Sequence, residues 1–452
     1  MGLSSRPIPR DVLNSLRAVY SGGSLFPQLK KYTWDTYVLC QIDLSFFAPP
    51  GLKGLIIDGS NDLKYVRRIK DRHSAPFEDS RFERTMKDLP GLLALSIRRF
   101  PASWVPSTTW AQIVQVRRLR SLSVDPLYHP VTEVEFLRKL SKLPALLELR
   151  LGVRPDWEAS WDLAFRGFLA LQTLTLHLHD NITTILPVFA SPHLISLSLV
   201  MDGKDALVIP GVLNLVAGTY RTLRIVSLEW TCAERTYTTP DVESFDSVFG
   251  GILHLKTVEE FSLSTPRQLF VSTGADDELA RLAKSWPKLR LLSLYTTFLG
   301  PLTHAALLPF ARNCPDLHTM HLRSVSFNRL TPEQLAVVPA AHPELRELHI
   351  CNALVDFASE ALGAQLISRV FPNVRWHPPA WRSAPNRTCC PDAVFGCNVE
   401  MEKLVPCIVP SDADPDSEIL SYLFGGIGSL LFRGSSSTAV VVGLDRDALP
   451  GA

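Results

Sequence analysis

The chain has no excess of charge of either sign. Its 452 residues carry 46 Lys and Arg against 45 Asp and Glu. A near-neutral chain lacks the long-range field that attracts nucleic acid or an anionic bilayer, so neither a nucleic-acid nor a membrane partner is expected. It has no run of about 18 apolar residues that would span a membrane. No basic-then-apolar secretory opening is present either. The eight cysteines (Cys40, Cys232, Cys314, Cys351, Cys389, Cys390, Cys397 and Cys407) are scattered rather than framed in pairs. Together these absences point to a soluble chain of the cytoplasm or nucleus with free thiols. The sequons at Asn181-Ile182-Thr183 and Asn386-Arg387-Thr388 are therefore read as chance matches.

Reactive constellations are equally scarce. There is no Gly-x-Ser-x-Gly elbow and no His-Glu-x-x-His pair, and no cysteine sits in a nucleophile context. His177 and His179 share one strand face but have no third ligand at fixed spacing, which makes them solvent-facing polar residues rather than a metal pair. Cys389, Cys390, Cys397 and Cys407 include no C-x-x-C, and read as free thiols. Gly425-Gly426-Ile427-Gly428-Ser429 has no following Lys, and reads as a flexible break. No catalytic residue, metal or cofactor is expected, and the chain is not expected to be an enzyme. The nine Trp residues are scattered, which suits core packing.

What is present is a repeated phrase. Pro287-Lys288-Leu289-Arg290-Leu291-Leu292-Ser293-Leu294 returns as Pro315-Asp316-Leu317-His318-Thr319-Met320-His321-Leu322. It returns again as Pro343-Glu344-Leu345-Arg346-Glu347-Leu348-His349-Ile350. The copies start 28 residues apart, at Leu289, Leu317 and Leu345. The first leucine position aligns back through Leu29, Leu52, Leu92, Leu119, Leu146, Leu171, Leu194, Leu223 and Val258, and forward to Val374. Most spacings lie near the 20–29 residues of leucine-rich repeats, and the longer ones are insertions.

The physical logic is short. In L-x-x-L-x-L the last two leucines are two apart and share one face of a strand. A lone five-residue strand cannot bury them, whereas one stacked about 4.8 Å from a neighbour can. Each strand needs a return path. Asp276 to Trp286, Thr303 to Arg312, Pro332 to Val338 and Ser359 to Ser368 carry apolar residues at helical spacing, and Val242 to Leu253 reads the same way. Thr331-Pro332-Glu333-Gln334 has the form of a capping box. Earlier returns are Pro-rich (Pro101 to Pro106, Pro126 to Pro130), and predict loops or single turns. The expected fold is an α/β leucine-rich-repeat solenoid of about 12–13 repeats, a curved parallel sheet with helices and loops outside. Residues 25–378 form the solenoid and residues 1–24 a short cap, with a helix candidate at Asp11 to Tyr20. Residues 379–452, with the acidic run Ser411 to Glu418, form a disordered tail.

A solenoid of this kind usually binds on its concave sheet face. The outward positions along the array are Thr33, Ser96, Ser123, Arg150, Thr175, Ser198, Ser227, Ser262, Ser293, His321 and His349. Flanking them are Asp35, Asp58, Arg98, Asp125, His177, Glu229, Tyr295, Arg323 and Cys351. Small hydroxyls dominate until the C-terminal end, where larger anchors gather. Tyr295, His321, Arg323, His349 and Cys351 are the candidate partner-binding residues. The competing reading is that they are ordinary sheet-surface residues.

The clean repeats resemble the cysteine-containing leucine-rich repeats of F-box proteins. Asn313-Cys314-Pro315-Asp316-Leu317 matches the Cys-Pro before the first leucine, and Ile350-Cys351-Asn352 the cysteine after the strand. Residues 25–378 also look like the leucine-rich region of divergent fungal F-box-like proteins, with Phe26-Pro27-Gln28-Leu29 and Phe371-Pro372-Asn373-Val374. The resemblance implies a monomeric protein-binding module, the substrate-recognition part of an SCF-type ubiquitin ligase receptor, with a Skp-type adaptor and cullin as further partners. The alternative is a stand-alone scaffold or inhibitor. The F-box opening has one candidate, Ile8-Pro9-Arg10-Asp11-Val12-Leu13, with no room before Phe26 for the helices that follow it. Either the module is absent or the chain begins within it.

Overall fold

Each copy of the phrase forms a short strand, and every strand runs parallel to its neighbours. The computed structural model describes residues 15, 18, 26, 28–35, 49–58, 86–98, 107–125, 130–131, 134–153, 167–178, 182–201, 209–230, 242–265, 270–272, 276–298, 302–328, 330–336, 341–354 and 360–376. The chain divides into two compact units. The first takes residues up to Pro130 with Leu143–Leu146. The second takes Val131–Lys142 and Leu147–Phe395.

In the first unit, β1 (Lys31–Asp35), β2 (Gly54–Asp58), β3 (Ala94–Arg98) and β4 (Ser121–Val124) pair in that order, all parallel. Leu55 and Ile57, Leu95 and Ile97, and Leu122 and Val124 are buried. The residues between them alternate outward, as period 2 requires. Leu52, Leu92 and Leu119 are buried too, each at the end of a turn closed by its own N–H, as in Leu52 N donating to Pro49 O at 2.9 Å. Helix α1 (Ser107–Ile113) is one return path, and a two-residue strand, β5 (Pro130–Val131), follows β4.

The second unit repeats the scheme over nine parallel strands. After helix α2 (Val134–Leu140) come β6 (Glu148–Val153), β7 (Thr173–Leu178), helix α3 (Ile182–Ile185), β8 (Ser196–Met201), helix α4 (Ile209–Thr219) and β9 (Ile225–Trp230). Beyond the short β10 (Val242–Ser244) and α5 (Phe245–Phe249) lie β11 (Glu260–Ser264), β12 (Phe270–Ser272), α6 (Asp276–Ser285), β13 (Leu291–Tyr295) and β14 (Thr297–Phe298). Helix α7 (Leu308–Asn313), β15 (Thr319–Ser326), α8 (Pro332–Ala336), β16 (Glu347–Leu354), α9 (Glu360–Val370) and β17 (Arg375–Trp376) complete it. The main ladder runs β6, β7, β8, β9, β11, β13, β15, β16, β17. Strands β10, β12 and β14 form a separate small parallel sheet.

The burial explains the phrase. Leu171, Leu194, Leu223, Val258, Leu289, Leu317 and Leu345 are all fully covered, as are the strand pairs from Leu149 and Leu151 to Leu348 and Ile350. Leu29 and Val374, the outermost positions of the alignment, are half-buried. Helix α4 buries Ile209, Val212, Leu213 and Val216, the one-face spacing of an amphipathic helix. Helix α6 buries Leu279, Leu282 and Ala283, with three acids in its first turn and Lys284 in its last, complementing the helix dipole. Where a turn meets α2 the chain is tight. A Cβ on Gly167 would lie 2.1 Å from Ser141 Cβ, and the next residue, Phe168, takes a φ of 61° while stacking on Phe189 at 5.0 Å.

The expected capping box is present: Thr331 N donates to Gln334 Oε1 at 3.0 Å and Gln334 N to Thr331 Oγ1 at 3.3 Å. The returns predicted as helical contain helices, with one correction. Val242 to Leu253 opens as strand β10, turns into α5, capped by Ser244 Oγ on Ser247 N, and ends in a 3-10 turn. A second correction concerns the earlier returns. The Pro-rich segments lie mostly outside the described residues, but α1 and α2 are two-turn helices beside them. Proline is compatible with a chain entering a helix, and Pro106 directly precedes α1. Of the N-terminal helix candidate, Ser15 and Ala18 are described, and both are helical and exposed. The acidic run, the C-terminal cysteines and Gly425 to Ser429 lie outside the described residues.

Leu322 is fully buried between its β13 and β16 neighbours, Leu294 and Ile350. Leu322→Ala should cost about 2–5 kcal/mol through lost burial and the cavity left behind. Urea unfolding of the variant against the parent measures this, and an unchanged midpoint would refute the strand alignment.

Candidate functional site

The outward positions of the strands stack into straight rows. In the second unit Arg150, Thr175, Ser198, Ser227, Ser262, Ser293, His321 and His349 are direct cross-strand partners in sequence. In the first unit Thr33, Ile56, Ser96 and Ser123 form the corresponding row. Ile56 is a member that reasoning from polar residues alone passes over. The second flanking row places Gly152, His177, Val200, Glu229, Ser264 and Tyr295 side by side. Among the described residues no group of three or more His, Cys, Asp or Glu could hold a metal ion, and His179 lies outside them.

Three adjacent strands bring the candidate residues together. The Tyr295 and His321 rings lie 6.2 Å apart, and the His321 and His349 rings meet edge to face at 5.7 Å. His321 Nε2 lies 3.3 Å from Glu347 Oε1, an approach that orients the imidazole across two strands. Arg323 donates to the carbonyl of Thr265 at 3.4 Å, which draws its guanidinium back over the strand ends. The row thus changes from small hydroxyls to a patch of ring faces and one cation over three rungs. Cys351 differs from the other four: it is 6% exposed and its Sγ lies 3.8 Å from His349 Nδ1, so it backs the histidine rather than offering a surface.

The slot before each first leucine shows how the repeats lock together. Trp286, Cys314, His342 and Phe371 occupy it in turn, and all are buried. Cys314 Sγ reaches the carbonyl of Trp286 at 3.5 Å, and His342 Nε2 lies 2.8 Å from the carbonyl of Cys314. His342 Nδ1 accepts from Leu345 N at 3.2 Å, so its proton is assigned to Nε2. Cys314 and His342 thus each satisfy a carbonyl of the preceding repeat, whereas Trp286 and Phe371 fill the same slot by packing alone. Burial pushes the Cys314 thiol up to about 12. Of the tryptophans, Trp230 and Trp286 are core residues.

Glu229 is a residue whose weight the sequence did not reveal. It sits half-buried on the face between Val200 and Ser264, with no salt bridge among the described residues. Burial pushes its carboxyl above the usual carboxylate range.

The arrangement defines a protein of the leucine-rich-repeat class, an α/β stack of parallel strands with helical returns. No protein-family model matches the chain, and no curated protein matches it. Among solved structures it is similar to a chain of the Rad7 and Elc1 complex in yeast, at 16% identity and a TM-score of 0.38 over 80% of this chain and 85% of that one. It is similar to a leucine-rich-repeat protein of Leptospira interrogans at 15% identity and a TM-score of 0.40, covering 78% of this chain and 97% of that one. The leucine-rich-repeat domain of APL1B aligns at 14% identity and a TM-score of 0.32, covering 85% and 95%. Among the described residues no helix is long and apolar enough to cross a membrane.

Two outcomes follow. The thiolate is the nucleophile, so a thiol held neutral and covered should not react. Native-state alkylation at pH 8 followed by peptide mapping should leave Cys314 unmodified until the chain is denatured; rapid modification would contradict its placement. For Glu229 the folded pKa is raised, so its contribution to stability is complete below the unfolded value and is lost as pH rises through the folded one. Glu229→Gln should raise the Tm at pH 7 and lose that gain near pH 4. Equal effects at both pH values would show that the carboxyl is not desolvated.

Proposed function

We propose that the chain is a non-enzymatic protein-binding module whose partner docks on the exposed face of β13, β15 and β16. One observation carries the reading. The outward row is small hydroxyls from Thr175 to Ser293 and then turns to His321 and His349, whose rings adjoin each other and that of Tyr295, with Arg323 two residues beyond His321 on the same strand. Aromatic and Arg side chains dominate the energetics of protein interfaces, because they bury large area at small entropic cost. Strands fixed by a packed core present them already ordered, so little is lost on binding. Cys351 lies beside His349 on the same strand.

The finer proposal is that this module is the substrate-recognition part of an SCF-type ubiquitin ligase receptor, acting as a monomer in the cytoplasm or nucleus. Its support is the repeat phrase itself. Cys314, before Pro315, packs into the slot between repeats, and Cys351 lies directly after the strand leucines, as the resemblance to F-box-protein repeats implies.

The test uses the full chain as bait, with recovered proteins identified by quantitative mass spectrometry. Recovery of a Skp-type adaptor and a cullin with a third protein supports the receptor reading. Recovery of the third protein alone makes the chain a stand-alone scaffold or inhibitor. Tyr295→Ala, Arg323→Ala and His349→Ala together should weaken binding of that third protein at least tenfold, on the order of 1.4 kcal/mol or more. The same affinity in parent and variant would remove the site.

A further inference from the structure

The residue just before each strand forms its own row, because its N–H donates to the carbonyl of the same residue in the previous repeat. In the first unit this row is Lys30, Lys53, Leu93 and Arg120, joined by bonds of 2.8, 2.8 and 2.7 Å. Its charged members are all cations, and all are exposed. The lysines lean the same way. A Cβ on Gly51 would lie 4.0 Å from Lys30 Nζ, and one on Gly91 3.5 Å from Lys53 Nζ, so each ammonium sits over the turn of the next repeat. In the third turn, Arg117 and Arg118 take the places that Pro50 and Gly51, then Pro90 and Gly91, hold in the first two. Beside them opens a mostly apolar pocket of about 310 Å³, lined by Met86, Pro90 and Val116 with Arg117 and Arg118 among its rim residues.

No ion pair among the described residues reaches Lys30, Lys53, Arg117, Arg118 or Arg120, and Asp88 is the one described acid there. The second unit treats the same positions differently. Its row reads Leu147, Gln172, Ile195, Arg224, Glu259, Arg290, His318 and Arg346. Within it Arg224 grips Glu259 with two bonds of 2.7 Å, and the guanidinium holds that carboxyl below the usual range. Like charges stacked strand on strand cost stability. Among the described residues, the row of the first unit carries that cost without an ion pair.

We propose that the strand-entry edge of the first unit is a docking surface for an acidic, extended protein segment, seated along Lys30, Lys53 and Arg120 with a carboxylate beside Arg117 and Arg118. Four rungs span about 14 Å, the length of about four extended residues. Alternate residues of such a segment point the same way at about 6.8 Å, so acids at every second position face the row. A wide polyanion suits it less. Asp58 and Asp125 stand at the opposite, strand-exit end of the same sheet, and the chain as a whole is nearly neutral.

The experiment titrates the full chain with a fluorescein-labelled eight-residue peptide bearing Glu at alternate positions, read by anisotropy. Binding should weaken steeply between 50 and 300 mM salt, as exposed charges are screened. Lys53→Glu with Arg118→Glu should weaken it at least tenfold, while the same peptide with Gln for Glu should not bind. Lys53→Gln should leave the Tm unchanged or raised, since it removes a like-charge contact; a lowered Tm would make the lysine structural and overturn the proposal. Equal binding of the Glu and Gln peptides would also overturn it. So would tighter binding of a DNA duplex or of phosphatidylserine vesicles, which would assign the edge to a different polyanion. A rise in affinity on neutralising Asp412, Asp414, Asp416 and Glu418 would make the chain's own acidic run the occupant and overturn the assignment to a partner. Tyr295→Ala, Arg323→Ala and His349→Ala together should leave peptide binding intact, so failure of one site is distinguishable from failure of the other.

Discussion

A short strand with leucines on one side can bury them only against the next copy of itself. Everything else in this chain follows from that constraint. It forces the strands parallel, because each must be re-entered from the same end. It forces a return path, because the chain has to come back. It also forces the return to be apolar on one face, as in the buried Ile209, Val212, Leu213 and Val216 of α4. The constraint is local to neighbouring repeats, so the stack tolerates insertions. The spacing of 40 residues between Leu52 and Leu92 leaves β2 and β3 in full register.

The backbone polar groups at the repeat junctions would be costly if left bare, and the structure meets them with chemically different side chains from two positions of the turn before the first leucine. A cysteine thiol, a histidine ring, a serine hydroxyl and threonine hydroxyls all reach carbonyls of the preceding repeat. Ser191 Oγ donates to Leu171 O at 2.7 Å, and Thr257 Oγ1 to Leu223 O at 2.7 Å. Apolar bulk is what the slot requires, and a donor is used where one is present, so Ser191, Trp286, Cys314, His342 and Phe371 can all fill it. Cys314 is accordingly a packing residue, covered and neutral, and not a reactive thiol.

The sequence made the inward half of each strand legible because burial leaves a period. The outward half was legible as position but not as exposure. Nothing in the text distinguishes Cys351, covered beside His349, from Arg323, which is half-exposed. Ile56 was invisible as a surface residue because an apolar letter in an apolar strand carries no mark. Strands β10, β12 and β14 were missed for another reason. They have two or three residues each, too few to show alternation, and they pair only because the longer strands before them are already aligned. The patch at Tyr295, His321 and His349 was readable because a break in a monotonous row is itself a signal. The charge row at Lys30, Lys53 and Arg120 was not, because it lies outside the period and emerges only when carbonyl and N–H are seen to connect those residues.

Because the leucines carry the fold, the outward rows can change residue by residue with little cost to it. This separates two kinds of irregularity. An uneven residue in the core must be explained by packing, as with Gly167 pressed against Ser141. An uneven residue on an outward row has no packing reason to exist. Three rings gathered in a row of hydroxyls, and cations stacked without acids where the other unit pairs them, are of the second kind. The stacked cations are unfavourable for the isolated chain, and the rings gain only the modest energy of their own cross-strand contacts. What such residues gain must come from outside the fold, which is why both patches are proposed as docking surfaces.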